Sequence, residues 1–215
     1  MSDPDSFVRA QTRILAPSLV PEIRLHLADR MTPIWRATQT ELDGMGVPPP
    51  YWAFAWPGGQ ALARHLLDHP DIVASRRVLD FAAGSGLGAI AAARAGAAGI
   101  VANDTDPIAA AAIALNAALN QVKIEVERGD LVGAESIPFD VVLAGDVCYE
   151  RPMAERAFAW FQALSRRGML VLMGDPGRDY LPQSCLAELA RYRVPTSTDL
   201  EDSEERQAIV WRVTG

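Results

Sequence analysis

The chain is short of cysteine, of clustered basic charge and of long apolar runs, and each shortage removes a class of explanation. Two cysteines, Cys148 and Cys185, are too few for a disulfide framework, and a chain of 215 residues can bury a core without one. Such usage fits a reducing compartment, although one bridge stays open on sequence alone. No dense Lys/Arg block occurs and the net charge is −7, which disfavours a nucleic-acid substrate. An acidic protein is better suited to a cationic partner, such as a lysine-bearing loop. The opening residues Met1-Ser2-Asp3-Pro4-Asp5 lack the basic and apolar regions of a secretory signal. The alanine-rich uncharged runs 81–93 and 107–121 fall below the ~18–20 residues a membrane span needs. A cytoplasmic protein with no membrane partner is expected. His26, His65 and His69 show no ligand spacing with cysteines or acidic clusters, so no metal is expected.

What the chain has is alternation. From Arg77 onward, short apolar runs predict strands at 77–81, 99–103, 123–128, 140–144, 168–173, 191–194 and 208–213. Helices are predicted at 60–67, 87–95, 107–120, 153–165 and 184–190, with alanine as the main helix builder. This pattern argues for an α/β fold, a Rossmann-like, mostly parallel sheet of seven strands covered by helices on both faces. The polar, acidic loop 195–207, with Asp199, Glu201 and Asp202, predicts an antiparallel last strand. Residues 1–45 read as an N-terminal helical extension, with a helix from Pro21 through Leu27, and residues 46–215 as the main domain.

The richest stretch is Val78-Leu79-Asp80-Phe81-Ala82-Ala83-Gly84-Ser85-Gly86-Leu87-Gly88, which reads as strand, tight turn and helix. Such a loop cradles a nucleotide-like cofactor at the carboxyl edge of a parallel sheet. Gly84 to Ala89 also fits G-x-G-x-x-A, so a nicotinamide oxidoreductase is a competitor. Asp80 separates the two. A carboxylate at the loop entrance repels a pyrophosphate, whereas S-adenosyl-L-methionine carries an ammonium and a sulfonium and no phosphate. Gly84 and Gly86 let the backbone approach the aminoacyl chain. Asp104, at the next strand end, is placed for ribose hydroxyls, and Asp130 for the adenine amino group. Asp104 and Asp106 are also suited to cap the helix that starts at Pro107.

The fourth strand of the pattern ends at Gly145-Asp146-Val147-Cys148-Tyr149. One short turn could aim Asp146 and Tyr149 into the same pocket. A lysine amine is roughly three units from neutral at pH 7, which costs on the order of 4 kcal/mol to overcome before it can attack a methyl carbon. Asp146 can accept from the amine and orient it, and Tyr149 adds an acceptor and a wall. A carboxylate alone raises the amine pKa, so desolvation by aromatic neighbours must lower it. Asp146 could instead cap the following helix. Pro48-Pro49-Pro50-Tyr51 is superficially similar to the Asn/Asp-Pro-Pro-Tyr motif of adenine methyltransferases, but it lacks the leading residue and precedes the glycine loop.

These residues together resemble a known family over roughly residues 50–180. Tyr51-Trp52-Ala53-Phe54-Ala55-Trp56-Pro57-Gly58-Gly59-Gln60-Ala61-Leu62, Ala102-Asn103-Asp104-Thr105-Asp106-Pro107, Asp146-Val147-Cys148-Tyr149 and Gly174-Asp175-Pro176-Gly177-Arg178 are similar to segments of the seven-β-strand (class I) protein lysine methyltransferases. Within these the likeness is to the electron-transfer flavoprotein beta-subunit lysine methyltransferases. The resemblance implies S-adenosyl-L-methionine as methyl donor and protein lysines as acceptors. The acceptor is expected to be the electron-transfer flavoprotein beta subunit, with ribosomal protein L7/L12, or an L11-type substrate, as alternatives. It also implies Trp56 over the cofactor or target amine, Asp104 on the ribose, and Asp146 with Tyr149 as the acceptor site. Ala82 stands where the family loop has its first glycine, a change expected to be tolerable if the backbone there is ordinary. Trp52 is divided between a site role and core packing. Asp175 and Arg178 are divided between an internal ion pair and contact with the acceptor protein.

Overall fold

Residues 78–81 and 141–144 are buried at every position, and such strands need cover on both faces. In a computed structural model, which describes residues 3–37, 44, 48–135, 137–196 and 203–215, they lie at the centre of one sheet. Its strands are β3 (Arg77–Phe81), β4 (Gly99–Asn103), β5 (Glu125–Glu127), β6 (Val141–Gly145), β7 (Leu170–Asp175), β8 (Leu186–Pro195) and β9 (Glu205–Val213). The order is β5-β4-β3-β6-β7-β9-β8. The first five in that order run parallel, and β9 runs antiparallel to both β7 and β8.

The helices are α1 (Pro4–Gln11), α2 (Pro33–Arg36), α3 (Pro57–Asp68), α4 (Leu87–Arg94), α5 (Pro107–Leu119) and α6 (Arg151–Arg166). Proline sits at the first turn of every one except α4, where its fixed φ favours initiation and its missing N–H costs nothing. One core joins α3 and α4 to one sheet face through Leu62, Leu66, Ile90, Val78 and Leu143. The other face packs on α6, where Phe81, Trp160 and Phe161 form an aromatic cluster with ring centroids 5.4–5.7 Å apart.

Two expected helices are strands. Residues 184–190 carry helix formers, yet from Leu186 onward they belong to β8, which pairs with β9 from Leu186↔Val213 to Pro195↔Glu205. Backbone pairing along β9 overrides local propensity. The run from Pro21 begins with a turn and ends in β2 (Leu25–Leu27), which pairs antiparallel with β1 (Arg13–Leu15). Apolar Ile23, Leu25 and Leu27 alternate with polar Glu22, Arg24 and His26, a period of two and not of 3.6, and β2 is buried at all three positions, His26 included. The N-terminal stretch is therefore α1, a hairpin and α2. It is packed on α5, with Val8 and Ile34 buried in one cluster with Ile108, Ala112 and Leu115. The acidic positions Asp199, Glu201 and Asp202 lie outside the described residues. No helix among the described residues is long and apolar enough to cross a membrane.

The chain leaves β3 toward β4 on one side and later returns to β6 on the other. Such a reversal opens a crevice at the carboxyl ends of the strands.

Candidate active site

That crevice holds a cavity of about 800 Å³, within the range of small-molecule sites. Among the described residues four carboxylates line it, those of Asp80, Asp104, Asp106 and Asp146, against a single guanidinium, that of Arg178. Trp56, Ala82, Gly84 and Tyr149 line it as well.

Asp80 ends the buried face of β3 and is 4% exposed. Its Oδ2 accepts from the Ala89 N–H at 2.7 Å, inside the first turn of α4. Burial pushes its carboxyl up to about 7, with the neighbouring Asp104 adding to the rise and the Ala89 N–H opposing it. No cation among the described residues is paired with it. A Cβ on Gly88 would stand 2.8 Å from Asp80 Oδ1, so the carboxylate needs a glycine beside it. Asp104 spends both oxygens on the loops: Oδ2 accepts from Gly84 N at 2.9 Å and Oδ1 from Asp106 N at 3.0 Å. Asp106 caps α5 through Ile108 N at 2.8 Å. Gly86 does not reach the cavity lining; it caps α4 at φ +77° behind the loop.

Ala82 departs from expectation. Its backbone is not ordinary but left-handed, with φ +50°. An L-residue there costs roughly 1–2 kcal/mol, which accounts for glycine being the easier choice at this position.

At the other end of the cavity Asp146 is also left-handed, at φ +53°. Aspartate visits this region more readily than most residues, and such conformations gather at functional sites. The turn aims the carboxylate at the start of α3, where Oδ2 accepts from Gly59 N at 2.8 Å. Asp146 thus meets an earlier helix, not the following one. The approach is close: a Cβ on Gly58 would overlap the Gly174 carbonyl oxygen and stand 2.6 Å from Asp146 Oδ2. Asp146 Oδ1 accepts from Arg178 Nη2 at 3.1 Å. Burial raises the Asp146 carboxyl to about 7, opposed chiefly by the Arg178 charge. Tyr149 is 42% exposed and leans on Tyr51 at 4.9 Å between centroids. Its hydroxyl is pushed up to about 12, by burial first and then by Tyr51, Glu150 and Asp104, so it stays protonated. Burial likewise pushes the Cys148 thiol up to about 12, which leaves it inert.

Trp56 faces the Arg178 guanidinium at 5.5 Å and donates from Nε1 to the Tyr51 carbonyl at 2.9 Å. Trp52 is core, 1% exposed, although part of it reaches the cavity wall. Its buried Nε1–H has no hydrogen-bond partner. Asp130 does not line the main cavity. It is ion-paired with Arg156 at 2.7 Å on a neighbouring cavity of about 250 Å³, which shares Ala82, Asp104, Thr105 and Met153 with the larger one. Asp175 makes no ion pair with Arg178. Its Oδ1 accepts the Gly177 and Arg178 backbone N–H groups, both at 2.7 Å. Sequence reasoning gave Tyr51 no site role, although it opens the Tyr51–Leu62 segment, and did not foresee the pairing of Arg178 with Asp146.

The lining has the character of a cation site: a buried carboxylate lacking a counter-charge, a second one held at the far end, and aromatic walls between. It suits a sulfonium or ammonium and is hostile to a diphosphate.

Comparison with known proteins agrees with this chemistry. A family model described as ribosomal protein L11 methyltransferase matches residues 62–149. The electron transfer flavoprotein beta subunit lysine methyltransferase of Danio rerio is 39% identical over 217 residues, covering 98% of this chain and 83% of that protein. The protein of the same name from Homo sapiens is 37% identical, covering 97% of this chain and 82% of that protein. Among solved structures, a ribosomal protein L11 methylase from Lactobacillus delbrueckii subsp. bulgaricus superposes with a TM-score of 0.51 at 22% identity, covering 74% of this chain and 79% of that one. At that identity the likeness speaks to the fold.

Proposed function

Because the chain belongs to the electron transfer flavoprotein beta subunit lysine methyltransferases, we propose that it methylates lysine ε-amines of that flavoprotein's beta subunit with S-adenosyl-L-methionine as donor. The observation that carries this reading is the acidic cavity itself, with Asp80 at one end and the Asp146–Tyr149 pair at the other.

When bound, the donor supplies an electrophilic methyl carbon on a positively charged sulfur, which a neutral amine attacks in line as the carbon–sulfur bond breaks. The residues present fit such a group. Asp80 would hold the ammonium of its aminoacyl end. Gly84 and Ala82 offer loop backbone, and Asp104, already braced by Gly84 and Asp106 N–H groups, keeps lone pairs for ribose hydroxyls. The smaller cavity, with Asp130 on its wall, would take the adenine. Gly86 serves by shaping the loop from behind.

The acceptor lysine enters between Tyr51, Tyr149 and Trp56. Their rings exclude water from the amine, which lowers the cost of losing its proton. Asp146 accepts an N–H and points the nitrogen lone pair along the cavity. Alignment of this kind is worth several kcal/mol in a displacement reaction. The proton leaves to water at the open mouth, where Tyr149 is partly exposed.

Calorimetry tests the cofactor assignment. S-adenosylhomocysteine is expected to bind, and NAD(P)H is expected not to. Tight dinucleotide binding without any to S-adenosylhomocysteine would defeat the reading. Labelling is easy to assign, since the chain holds one lysine of its own, Lys123.

A further inference from the structure

Arg178 is the one guanidinium that the described residues bring to the cavity lining, and its placement is built by the turn that follows β7. Asp175, 1% exposed, pins the Gly177 and Arg178 N–H groups. Gly177 takes the left-handed φ of +88° that the turn needs. The side chain then runs under Trp56 to Asp146, with 20% of its own surface exposed against 7% for the Asp146 side chain.

We propose that Arg178 is a positioning residue that keeps Asp146 a charged hydrogen-bond acceptor turned toward the incoming amine. This inference rests on the reading of Asp146 as part of the acceptor site.

The groups around Asp146 show why a built-in cation is needed. From β7 and its loop, Asp175 repels the carboxylate and Arg178 attracts it. On its own turn lie Cys148 and Tyr149, both neutral thanks to their raised pKa values. From α3 comes only the Gly59 N–H, at 2.8 Å. Across the cavity stand Asp80 and Asp104, both negative when ionised. Without Arg178 a single backbone donor would face burial and several like charges. The carboxyl would take a proton and become a donor on one oxygen, so it would no longer draw in an ammonium. Arg178 also fixes the geometry. It takes one lone pair of Oδ1 as Gly59 takes one of Oδ2, which leaves the cavity-facing side for the amine.

The sign follows directly. Asp146 serves when deprotonated, and loss of Arg178 raises its pKa, so its titration moves to higher pH. Carbon NMR of the Asp146 carboxyl, assigned with Asp146→Asn, reads this in the protein without substrate. In Arg178→Gln the midpoint is expected to rise by about 1–3 pH units, the usual worth of an adjacent arginine, while Arg178→Lys restores much of it. An unchanged midpoint in Arg178→Gln overturns the proposal. The acid limb of kcat/KM for methyl transfer should shift with it, with a loss of about tenfold or more at pH 7 that shrinks toward pH 9. A loss equal at every pH, or a gain in rate at pH 7, contradicts the acceptor role even if the carboxyl titration shifts. If wild type transfers no methyl group, the functional reading fails, and the NMR titration still decides whether Arg178 holds Asp146 charged.

Discussion

The two ends of the cavity hold the same chemical problem and solve it differently. Asp80 and Asp146 are both buried carboxylates pushed up to about 7 by removal from water. Each is held by one backbone N–H at the first turn of a helix, Ala89 of α4 and Gly59 of α3. The partial positive charge of a helix start favours both. Beyond that they part. Asp146 is given Arg178, whereas Asp80 has Asp104 beside it and no cation. On the proposed reading, the β3 end is left incomplete for the ammonium that arrives with the donor and stays through turnover. On the same reading the β6 end is completed in advance, because the lysine reaching it must give up its charge. A fixed guanidinium leaves the carboxylate an acceptor and discourages a second permanent positive charge.

The largest expected effect breaks the acceptor end alone. Asp146→Ala should lower kcat by about 10²-fold or more, through lost alignment of the amine. S-adenosylhomocysteine affinity measured by calorimetry should change little. A parallel loss of both would show that the two ends are not separable.

Next, pH sharpens the contrast at the donor end. In the unfolded chain Asp80 and Asp146 lose their protons near pH 3.9, but in the folded protein they keep them up to about 7. Between these values the folded state holds more protons, so stability of the ligand-free protein falls as pH rises from about 4 through about 7. Thermal melts of Asp80→Asn should show a flatter dependence than wild type across this window. The same substitution should weaken S-adenosylhomocysteine binding at pH 8 by roughly 10- to 100-fold, the worth of a hydrogen bond to a charged group. A wild-type melting temperature that rises across the window would contradict the burial argument.

The smallest effect concerns the loop between the two ends. Ala82→Gly relieves a left-handed alanine at about 1–2 kcal/mol but frees the unfolded chain by about 0.4–1 kcal/mol. A melting temperature raised by roughly 1–4 °C is expected. A clear drop would mean that the Ala82 methyl packs usefully on the cavity wall.

Much of this contrast was legible in the residues, and the illegible part has a common cause. Asp80, Asp104 and Asp146 each end an apolar strand run, so sequence alone put them at one sheet edge. Proline at the first turn marked α5, whereas α3 was expected from Gln60 and begins three residues earlier, at Pro57. The pairing of Arg178 with Asp146 joins positions 32 apart, and no local period encodes it. Only the first half of β8 was hidden, because Leu186-Ala187-Glu188-Leu189-Ala190 are good helix formers that the β9 edge makes a strand, while 191–194 read as a strand. The hairpin at Leu25–Leu27 was legible but misread, since the alternation of Ile23, Leu25 and Leu27 with Glu22 and Arg24 had period two. The φ of Ala82 lay beyond any reading of residue type.

The most direct test of the account is mass spectrometry of purified electron transfer flavoprotein beta subunit after incubation with S-adenosyl-L-methionine and this enzyme. The account predicts added methyl groups located on lysine side chains with wild type, and none above background with Asp146→Ala at equal cofactor-analogue affinity. An unmodified beta subunit, or one modified equally by both proteins, would contradict it.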